Sequence, residues 1–214
     1  MSALHWIELF GVAVFAMAGA IEAIRNRCDL FGVLVLAFVS ALGGGTVRDL
    51  LLDISPLAWI HDVHLAYVAL LSGVLIFLLA KFIQIPFRAL LYADAIGLAA
   101  FTVSGTQIAI SQSLPGLIVV MMGMASAIFG GIIRDIMANE IPLIFRRDIY
   151  ATATLAGALW LFWSQRLGLD IETSMIIGFL LVLSIRTIAI TWRLSLPSFL
   201  NTTMLFKENH PEEL

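Results

Sequence analysis

The chain has 214 residues, of which 61% are hydrophobic and 13% are charged, and its mean hydropathy is +1.01. Since a soluble domain carries about 25% charged residues, this composition excludes an ordinary soluble domain and indicates an integral membrane protein with little mass outside the bilayer. The formal net charge of −3 points to no particular partner, and we expect no nucleic-acid partner.

Seven apolar segments are each close to the length that crosses about 30 Å of hydrocarbon as a helix. We therefore predict an all-α integral membrane protein with seven transmembrane helices. The first segment should remain as a span, because no basic region or A-x-A site indicates a cleavable signal peptide. In chain order the predicted spans are 4–24, 30–52, 62–80, 89–110, 114–138, 147–164 and 171–193.

The first six spans form two similar units that are offset by 86 residues. The segment Gly44–Asp49 returns as Gly130–Asp135, and Glu8 matches Asp94 without a gap. Because each unit contains three spans, an odd number, the two units must be inverted relative to each other. Further matched pairs are Gly11 and Gly97, Phe15 and Phe101, Gly19 and Gly105, Ser40 and Ser126, Pro56 and Pro142, and Asp62 and Asp148.

This organisation divides the chain into four predicted regions. We expect a first three-helix repeat at 1–86, an inverted second repeat at 87–168, a seventh transmembrane helix at 169–195 and a cytoplasmic tail at 196–214.

Lysine and arginine are concentrated in the loops on one side of the predicted helices. Because such loops face the cytoplasm, we expect the N-terminus outside and the C-terminus in the cytoplasm. The membrane would be the plasma membrane, or the inner membrane of a Gram-negative cell. Only Arg166 falls on the outer side, whereas the cytoplasmic side carries Arg25, Arg27, Lys81, Arg88, Arg146, Arg147, Arg193 and Lys207.

Glycine clusters lie at matched positions in the second and fifth spans. Three successive glycines weaken a helix by about 1 kcal/mol each relative to alanine, so we expect helix breaks that meet near a pseudo-two-fold axis in the membrane plane. Freed carbonyls there could replace part of a cation's hydration shell. The alternative is that the glycines only permit tight helix packing, but the repetition favours breaks. The residues concerned are Gly43, Gly44, Gly45, Gly130 and Gly131.

Charged residues follow both glycine clusters within the predicted spans. Arg48 and Asp49 follow the first cluster, and Arg134 and Asp135 follow the second. Intramembrane charges are costly and often functional, so these four are candidates for a pore mouth or a lipid headgroup contact. Snorkelling and structural pairing remain open as alternatives, including a cross-pairing of each arginine with the aspartate of the other repeat.

Serine and threonine residues lie in the same regions, and they distinguish span four from span one. They could offer oxygen atoms to a permeating ion, although such hydroxyls also bond to their own backbone or to a neighbouring helix. The carboxylates of Glu8 and Asp94 could attract cations or could simply favour a helix N-terminus. The candidate pore-lining residues are Ser40, Thr102, Ser104, Thr106 and Ser126.

Metal and redox sites are not expected. The single cysteine, Cys28, excludes an intrachain disulfide and a paired-cysteine site. His61 and His64 lie three residues apart without an evident third ligand. We therefore predict no metal site and no cofactor.

The doubled motif and the arrangement of three plus three plus one spans resemble the prokaryotic branch of the trimeric intracellular cation (TRIC) channel family. The motif residues are Gly43–Asp49 and Gly130–Asp135, and the resemblance covers roughly residues 4–195. It implies a homotrimer with a pore inside each protomer, lined by spans two and five kinked at their glycines, and passage of potassium with sodium. Sequences of this family have also been labelled glycine-transporter-like.

These observations predict a passive monovalent cation channel that contacts membrane lipids and has no enzymatic activity. A secondary transporter for a small solute such as glycine fits inverted repeats with interrupted helices equally well. An intramembrane enzyme would need a catalytic constellation. Asp49 and Asp135 are its only symmetric candidates, and the adjacent arginines would keep them ionised.

Overall fold

The computed structural model describes residues 3–146 and 149–194, and every regular element in these ranges is an α-helix. The predicted all-α class is therefore confirmed. The predicted tail 196–214, together with Arg147, Asp148 and Lys207, lies outside the described residues. The helices are α1 (Ala3–Arg25), α2 (Leu30–Leu51), α3 (Ala58–His61), α4 (Val63–Leu79), α5 (Phe87–Ser111), α6 (Gly116–Met137), α7 (Leu143–Arg146), α8 (Ala151–Arg166) and α9 (Ile171–Trp192).

Seven of these helices coincide with the predicted spans to within a few residues. Helices α1, α2, α5, α6 and α9 are long and apolar enough to cross a membrane. Helices α4 and α8 have 17 and 16 residues and therefore rise about 26 and 24 Å at 1.5 Å per residue. Each follows a helix of four residues, α3 or α7. The third span of each repeat is therefore a shortened helix that is preceded by a separate short helix.

Side-chain caps at the starts of α2 and α9 fix where these two helices begin. Asp29 accepts a hydrogen bond from the backbone N–H of Gly32 (2.8 Å) at the start of α2, and Asp170 accepts one from the N–H of Thr173 (3.0 Å) at the start of α9. The Thr173 hydrogen bond lowers the pKa of Asp170 below its ordinary value. An ionised carboxylate at this position also interacts favourably with the N-terminal end of the helix dipole.

The two repeats meet where α2 crosses α6. A Cβ atom at Gly44 would collide with the carbonyl oxygen of Ser126, and one at Gly130 would collide with the carbonyl oxygen of Ser40. The contact is reciprocal, and positions that ascend along α2 meet positions that descend along α6. The two helices are therefore antiparallel about a local two-fold axis, as the inverted arrangement predicts.

The glycine-rich stretches remain helical, which differs from the predicted interruption. Helix α2 runs without a break through Gly43, Gly44 and Gly45, and α6 runs through Gly130 and Gly131. An unsatisfied peptide group in the membrane interior costs several kcal/mol, whereas each glycine weakens the helix by only about 1 kcal/mol. The alternative expectation, tight helix packing, accounts for Gly44 and Gly130.

Replacing Gly44 with alanine should destabilise the protein, because the added methyl group meets backbone rather than a movable side chain. Overpacking of this kind costs about 1–3 kcal/mol. We expect a lower thermal unfolding temperature for the detergent-solubilised Gly44→Ala variant.

Gly45→Ala is the matched control one residue away. Its new Cβ atom would have only the Arg48 Nη2 atom nearby, at 3.8 Å, and alanine favours the helix. Equal losses of stability in the two variants would contradict the packing argument.

Candidate functional site

A buried charged cluster lies at the C-terminal end of α2. The Nε and Nη2 atoms of Arg48 both donate to the Oδ1 atom of Asp49, at 2.9 and 2.7 Å. The Nη1 atom of Arg48 lies 3.5 Å from the Oε1 atom of Glu8 in α1. The Oδ2 atom of Asp49 accepts a hydrogen bond from the N–H of Ala58, the first residue of α3 (2.9 Å). We call Glu8, Arg48 and Asp49 the first cluster, and it joins α1, α2 and α3.

The second repeat builds the same arrangement at the C-terminal end of α6. Arg134 donates from Nε to Asp135 (2.8 Å) and from Nη1 to Asp94 in α5 (2.9 Å). The Oδ2 atom of Asp135 accepts a hydrogen bond from the N–H of Leu143, the first residue of α7 (2.9 Å). We call Asp94, Arg134 and Asp135 the second cluster. Because α2 and α6 are antiparallel, the two clusters lie at opposite ends of the crossing.

Each arginine pairs within its own repeat, so the cross-pairing that the sequence left open is not found. Arg48 and Arg134 are almost completely buried, so they do not snorkel to the surface. Adjacent residues on a helix do not normally face each other. Here the backbone N–H of the following short helix holds each aspartate, and the long arginine side chain folds back onto it.

The second cluster includes two residues that sequence analysis did not assign to a site. The hydroxyl of Tyr150 donates to Asp94 (3.3 Å), and the guanidinium of Arg186 lies 4.6 Å from the centre of the Tyr150 ring. Arg186 also donates to the carbonyl of Ile149 (3.0 Å) and lies 4.0 Å from Asp94. An arginine within the seventh predicted span was a usable signal. Tyr150 matches His64 in the first repeat and carried no such signal.

The two clusters therefore differ in charge. The first has one arginine and two carboxylates, which gives a formal charge of −1. The second gains Arg186 from α9 and is formally neutral. The repeat supplies the common geometry, and the seventh span supplies the asymmetry.

Three of the predicted pore-lining serines lie buried near the α2–α6 crossing. Their hydroxyl groups have no hydrogen-bond partner among the described residues. They are Ser40, Ser104 and Ser126. The predicted threonines differ, because Thr102 donates to the carbonyl of Leu98 (2.7 Å) and Thr106 donates to the carbonyl of Thr102 (2.6 Å). The threonine hydroxyls are thus bonded to their own helix, which is the alternative that the sequence left open.

Cavities adjoin both clusters. An open cavity of about 590 Å³ and a smaller one of about 20 Å³ share Glu8 in their walls, and Arg48 lines the smaller one. Asp135 lines a cavity of about 140 Å³ at the other end of the crossing, together with Glu22 and Glu140. Acidic side chains therefore face space at both ends of the α2–α6 crossing.

A histidine–aspartate group lies at the edge of the 590 Å³ cavity. The carboxylate of Asp62 lies 3.3 Å from the Nδ1 atom of His5 and 2.8 Å from the Nδ1 atom of His64. Partial burial opposes ionisation of Asp62, but its hydrogen bonds with His64 outweigh that effect and lower its pKa. In the part of the chain that the structure describes, no group of three or more histidine, cysteine, aspartate or glutamate side chains has the geometry of a metal site.

Replacing Asp94 with asparagine should be strongly destabilising, because it removes a charge from a network in which both ionic partners are fully buried. Breaking such a pair costs about 3–5 kcal/mol. We expect a large drop in the thermal stability of the purified Asp94→Asn variant.

The matched substitution in the first repeat, Glu8→Gln, should cost clearly less than Asp94→Asn, because Arg48 keeps an ionised partner. Glu8 is 17% exposed, its contact with Arg48 is 3.5 Å long, and Arg48 keeps both hydrogen bonds to Asp49. Similar losses of thermal stability in both variants would contradict the argument that the deeper burial of the second cluster makes its charges more important for stability.

Comparison with known proteins places this geometry in a family. The family model described as "Glycine transporter" matches residues 5–81 and 91–166, one segment in each repeat. A UPF0126 membrane protein of Vibrio cholerae is 40% identical over 199 residues, which cover 92% of this chain and 83% of that protein. The UPF0126 inner membrane protein YadS of Escherichia coli K12 is 40% identical over 198 residues, covering 92% and 96% of the two chains.

Solved structures give the same assignment. The TRIC trimeric intracellular cation channel orthologue from Rhodobacter sphaeroides superposes with a TM-score of 0.87 and 34% identity, covering 91% of this chain and 100% of that chain. A structure described as the basis for conductance through TRIC cation channels gives a TM-score of 0.83 and 37% identity, covering 92% and 97%. These relatives are membrane proteins and channels rather than enzymes, in agreement with the prediction of no enzymatic activity. The chain therefore belongs to the family of membrane proteins that unites the UPF0126 proteins with the TRIC channels and that the matching model describes as "Glycine transporter".

Proposed function

We propose that the protein is a passive channel for monovalent cations, potassium and sodium, with a conduit inside each protomer along the crossing of α2 and α6. One observation carries the proposal. The crossing has an arginine–carboxylate cluster beside a cavity at each end, and between the ends lie buried serine hydroxyls that have no hydrogen-bond partner in the described part of the chain. The similarity to proteins described as TRIC cation channels supports it.

Charge and hydrogen bonding both favour a cation as the permeating species. The first cluster has a formal charge of −1, and a cavity lined by negative charge raises the local concentration of cations. An unpartnered buried hydroxyl costs about 1–3 kcal/mol. Water or a partly dehydrated cation at Ser40 or Ser126 would remove that cost, because hydroxyl oxygens can replace part of a hydration shell.

The conduit would be closed in this structure. The backbones of α2 and α6 touch at Gly44 and Gly130, and the cavity beside Arg48 has a volume of about 20 Å³, which holds about one water molecule. Opening would require α2 and α6 to separate. Gly43, Gly45 and Gly131 would lower the cost of bending these helices, because glycine has the least conformational restriction.

We further propose a homotrimer embedded in lipid in the plasma membrane, or the bacterial inner membrane, with the N-terminus outside. The names of related proteins support the trimer and the inner membrane. The positive-inside rule supports the orientation, since most of the basic residues outside the spans fall at connections on one side of the membrane.

A secondary transporter of glycine is the second candidate, because the matching family model carries that description. Inverted repeats are common to transporters and to some channels. Saturable glycine uptake without ion conductance would favour this candidate.

Purified protein in liposomes should pass potassium and sodium down their gradients without added energy. The measurement is cation flux into protein-containing vesicles, compared with protein-free vesicles, followed by single-channel recording in a bilayer. Absence of current with either ion, together with saturable uptake of radiolabelled glycine, would replace the channel with the transporter.

Ser40→Ala and Ser126→Ala should reduce potassium conductance severalfold while leaving thermal stability unchanged or slightly higher. Each hydroxyl lacks a partner among the described residues, so its removal costs no protein hydrogen bond, whereas a permeating ion loses an oxygen contact.

The control is Ser111→Ala at the C-terminal end of α5, where the hydroxyl is exposed and bonds to the carbonyl of Ile108. Single-channel conductance of all three variants decides the question. Unchanged conductance in both crossing variants would argue against a path that passes these serines.

A further inference from the structure

The seventh span, α9, places a second arginine beside the carboxylate of Asp94. The Nη2 atom of Arg186 lies 4.0 Å from the Oδ2 atom of Asp94, and Arg186 is only 1% exposed. The other oxygen of Asp94, Oδ1, accepts hydrogen bonds from Arg134 and Tyr150. The two oxygens of this carboxylate therefore have different surroundings, because one is hydrogen-bonded within the second repeat and the other faces Arg186.

Groups other than the carboxylate hold the guanidinium of Arg186 in place. Its Nη1 atom donates to the carbonyl of Ile149 (3.0 Å), and its Cζ atom lies 4.6 Å from the centre of the Tyr150 ring. The face of an aromatic ring attracts a cation at this distance. At 4.0 Å, the contact of Arg186 with Asp94 is an ion pair that is longer than a hydrogen bond. The chain thus fixes a positive charge next to this carboxylate without a hydrogen bond between the two.

Polar atoms on both sides of this ion pair have no hydrogen-bond partner among the described residues. They are the Oδ2 atom of Asp94 and the Nε and Nη2 atoms of Arg186. Carboxylate oxygens are the groups with which cation channels attract ions, and a buried charge needs a charged partner. The Oδ2 atom of Asp94 is therefore where a cation from solution would bind, and Arg186 supplies the positive charge there instead.

The matched carboxylate of the first repeat has no second arginine beside it in the part of the chain that the structure describes. Glu8 contacts Arg48 at 3.5 Å and lines two cavities. The position that corresponds to Tyr150 is His64, which is exposed beside the larger cavity. Because α9 stands outside the repeat, the first cluster receives no counterpart of Arg186, and a cation from solution can reach Glu8.

We propose that the guanidinium of Arg186 is a tethered cation, which occupies in the second cluster the cation-binding position that stays accessible beside Glu8 in the first. This inference rests on the proposed channel function and adds the origin of a difference between its two ends. Without Arg186, the second cluster would have one arginine and two carboxylates and a formal charge of −1, like the first. The first cluster therefore concentrates permeant cations, and the second does not.

The charge difference predicts unequal potassium currents in the two directions through the unmodified protein. Ions that enter from the side of the first cluster start from a higher local concentration. Single-channel currents at equal voltages of opposite sign should therefore differ at low ionic strength. The difference should shrink in concentrated potassium chloride, which screens the charges of the clusters.

Arg186→Gln should make the two ends alike. We expect the smaller of the two currents to rise by about twofold or more, because a second site that concentrates cations is created. Arg186→Lys keeps the positive charge and should keep the unequal currents, although lysine lacks the planar fork of arginine. Arg193→Gln is the matched control. Arg193 is the exposed residue that ends α9, and its substitution should leave the ratio of the two currents unchanged.

Glu8→Gln covers the case in which Arg186→Gln fails to assemble. It removes the excess negative charge of the first cluster, so that both clusters are formally neutral and the larger current should fall to the level of the smaller one. Size-exclusion chromatography in detergent identifies the variants that assemble as the unmodified protein does. Unequal currents that persist in Glu8→Gln would overturn the proposal, and so would equal currents in the unmodified protein at low ionic strength.

A binding measurement tests the cation position without any transport. A ligand that binds only the folded protein raises its unfolding temperature. Replacing N-methyl-D-glucamine chloride with potassium chloride at equal concentration should therefore stabilise Arg186→Gln more than the unmodified protein or Arg186→Lys. The extra rise in unfolding temperature should disappear when Asp94→Asn is added to Arg186→Gln, because the carboxylate that binds the ion is then absent.

Equal potassium effects in Arg186→Gln and Arg186→Lys would contradict the proposal, because an arginine with a purely structural role leaves no cation site when it is removed. If no variant passes potassium or sodium, the channel proposal fails. The potassium-specific rise in unfolding temperature still decides, in that case, whether Arg186 occupies a cation position.

Discussion

The close approach of two antiparallel helix backbones organises this molecule. Helices α2 and α6 touch at Gly44 and Gly130, where any side chain would collide with a carbonyl oxygen of the partner helix. In a membrane, where apolar lipid gives little hydrophobic drive to helix association, such close packing is a main source of stability between helices. The contact also joins the two repeats, so it defines the local two-fold axis around which the remaining elements are placed.

Buried charge is the cost that this arrangement has to offset. Arg48 and Arg134 lie at the two ends of the crossing, and each is compensated by an aspartate next in sequence and by a carboxylate from a second helix. A buried arginine without such partners would cost several kcal/mol. Because each aspartate also binds the first N–H of the following short helix, the clusters couple α2 and α6 to the chain that follows them.

The departures from symmetry give the two clusters different surroundings. Tyr150 and Arg186 fill the surroundings of Asp94, whereas Glu8 faces open cavities. The two halves of the proposed conduit therefore differ in charge and in access to water. The two ends of the crossing thus differ in their surroundings, although both are built from the same repeated unit.

Much of the architecture could be predicted from the sequence, because hydropathy, the 86-residue repeat and an odd number of spans leave few alternatives in a membrane. The motif residues at both ends of the crossing were identified in the same way. The tertiary structure decided that the glycine stretches stay helical, that each arginine pairs inside its own repeat, and that Tyr150 completes the second cluster. Those outcomes depend on distances between helices. Glycine permits both a break and a close contact, and only the position of the neighbouring backbone determines which of them forms.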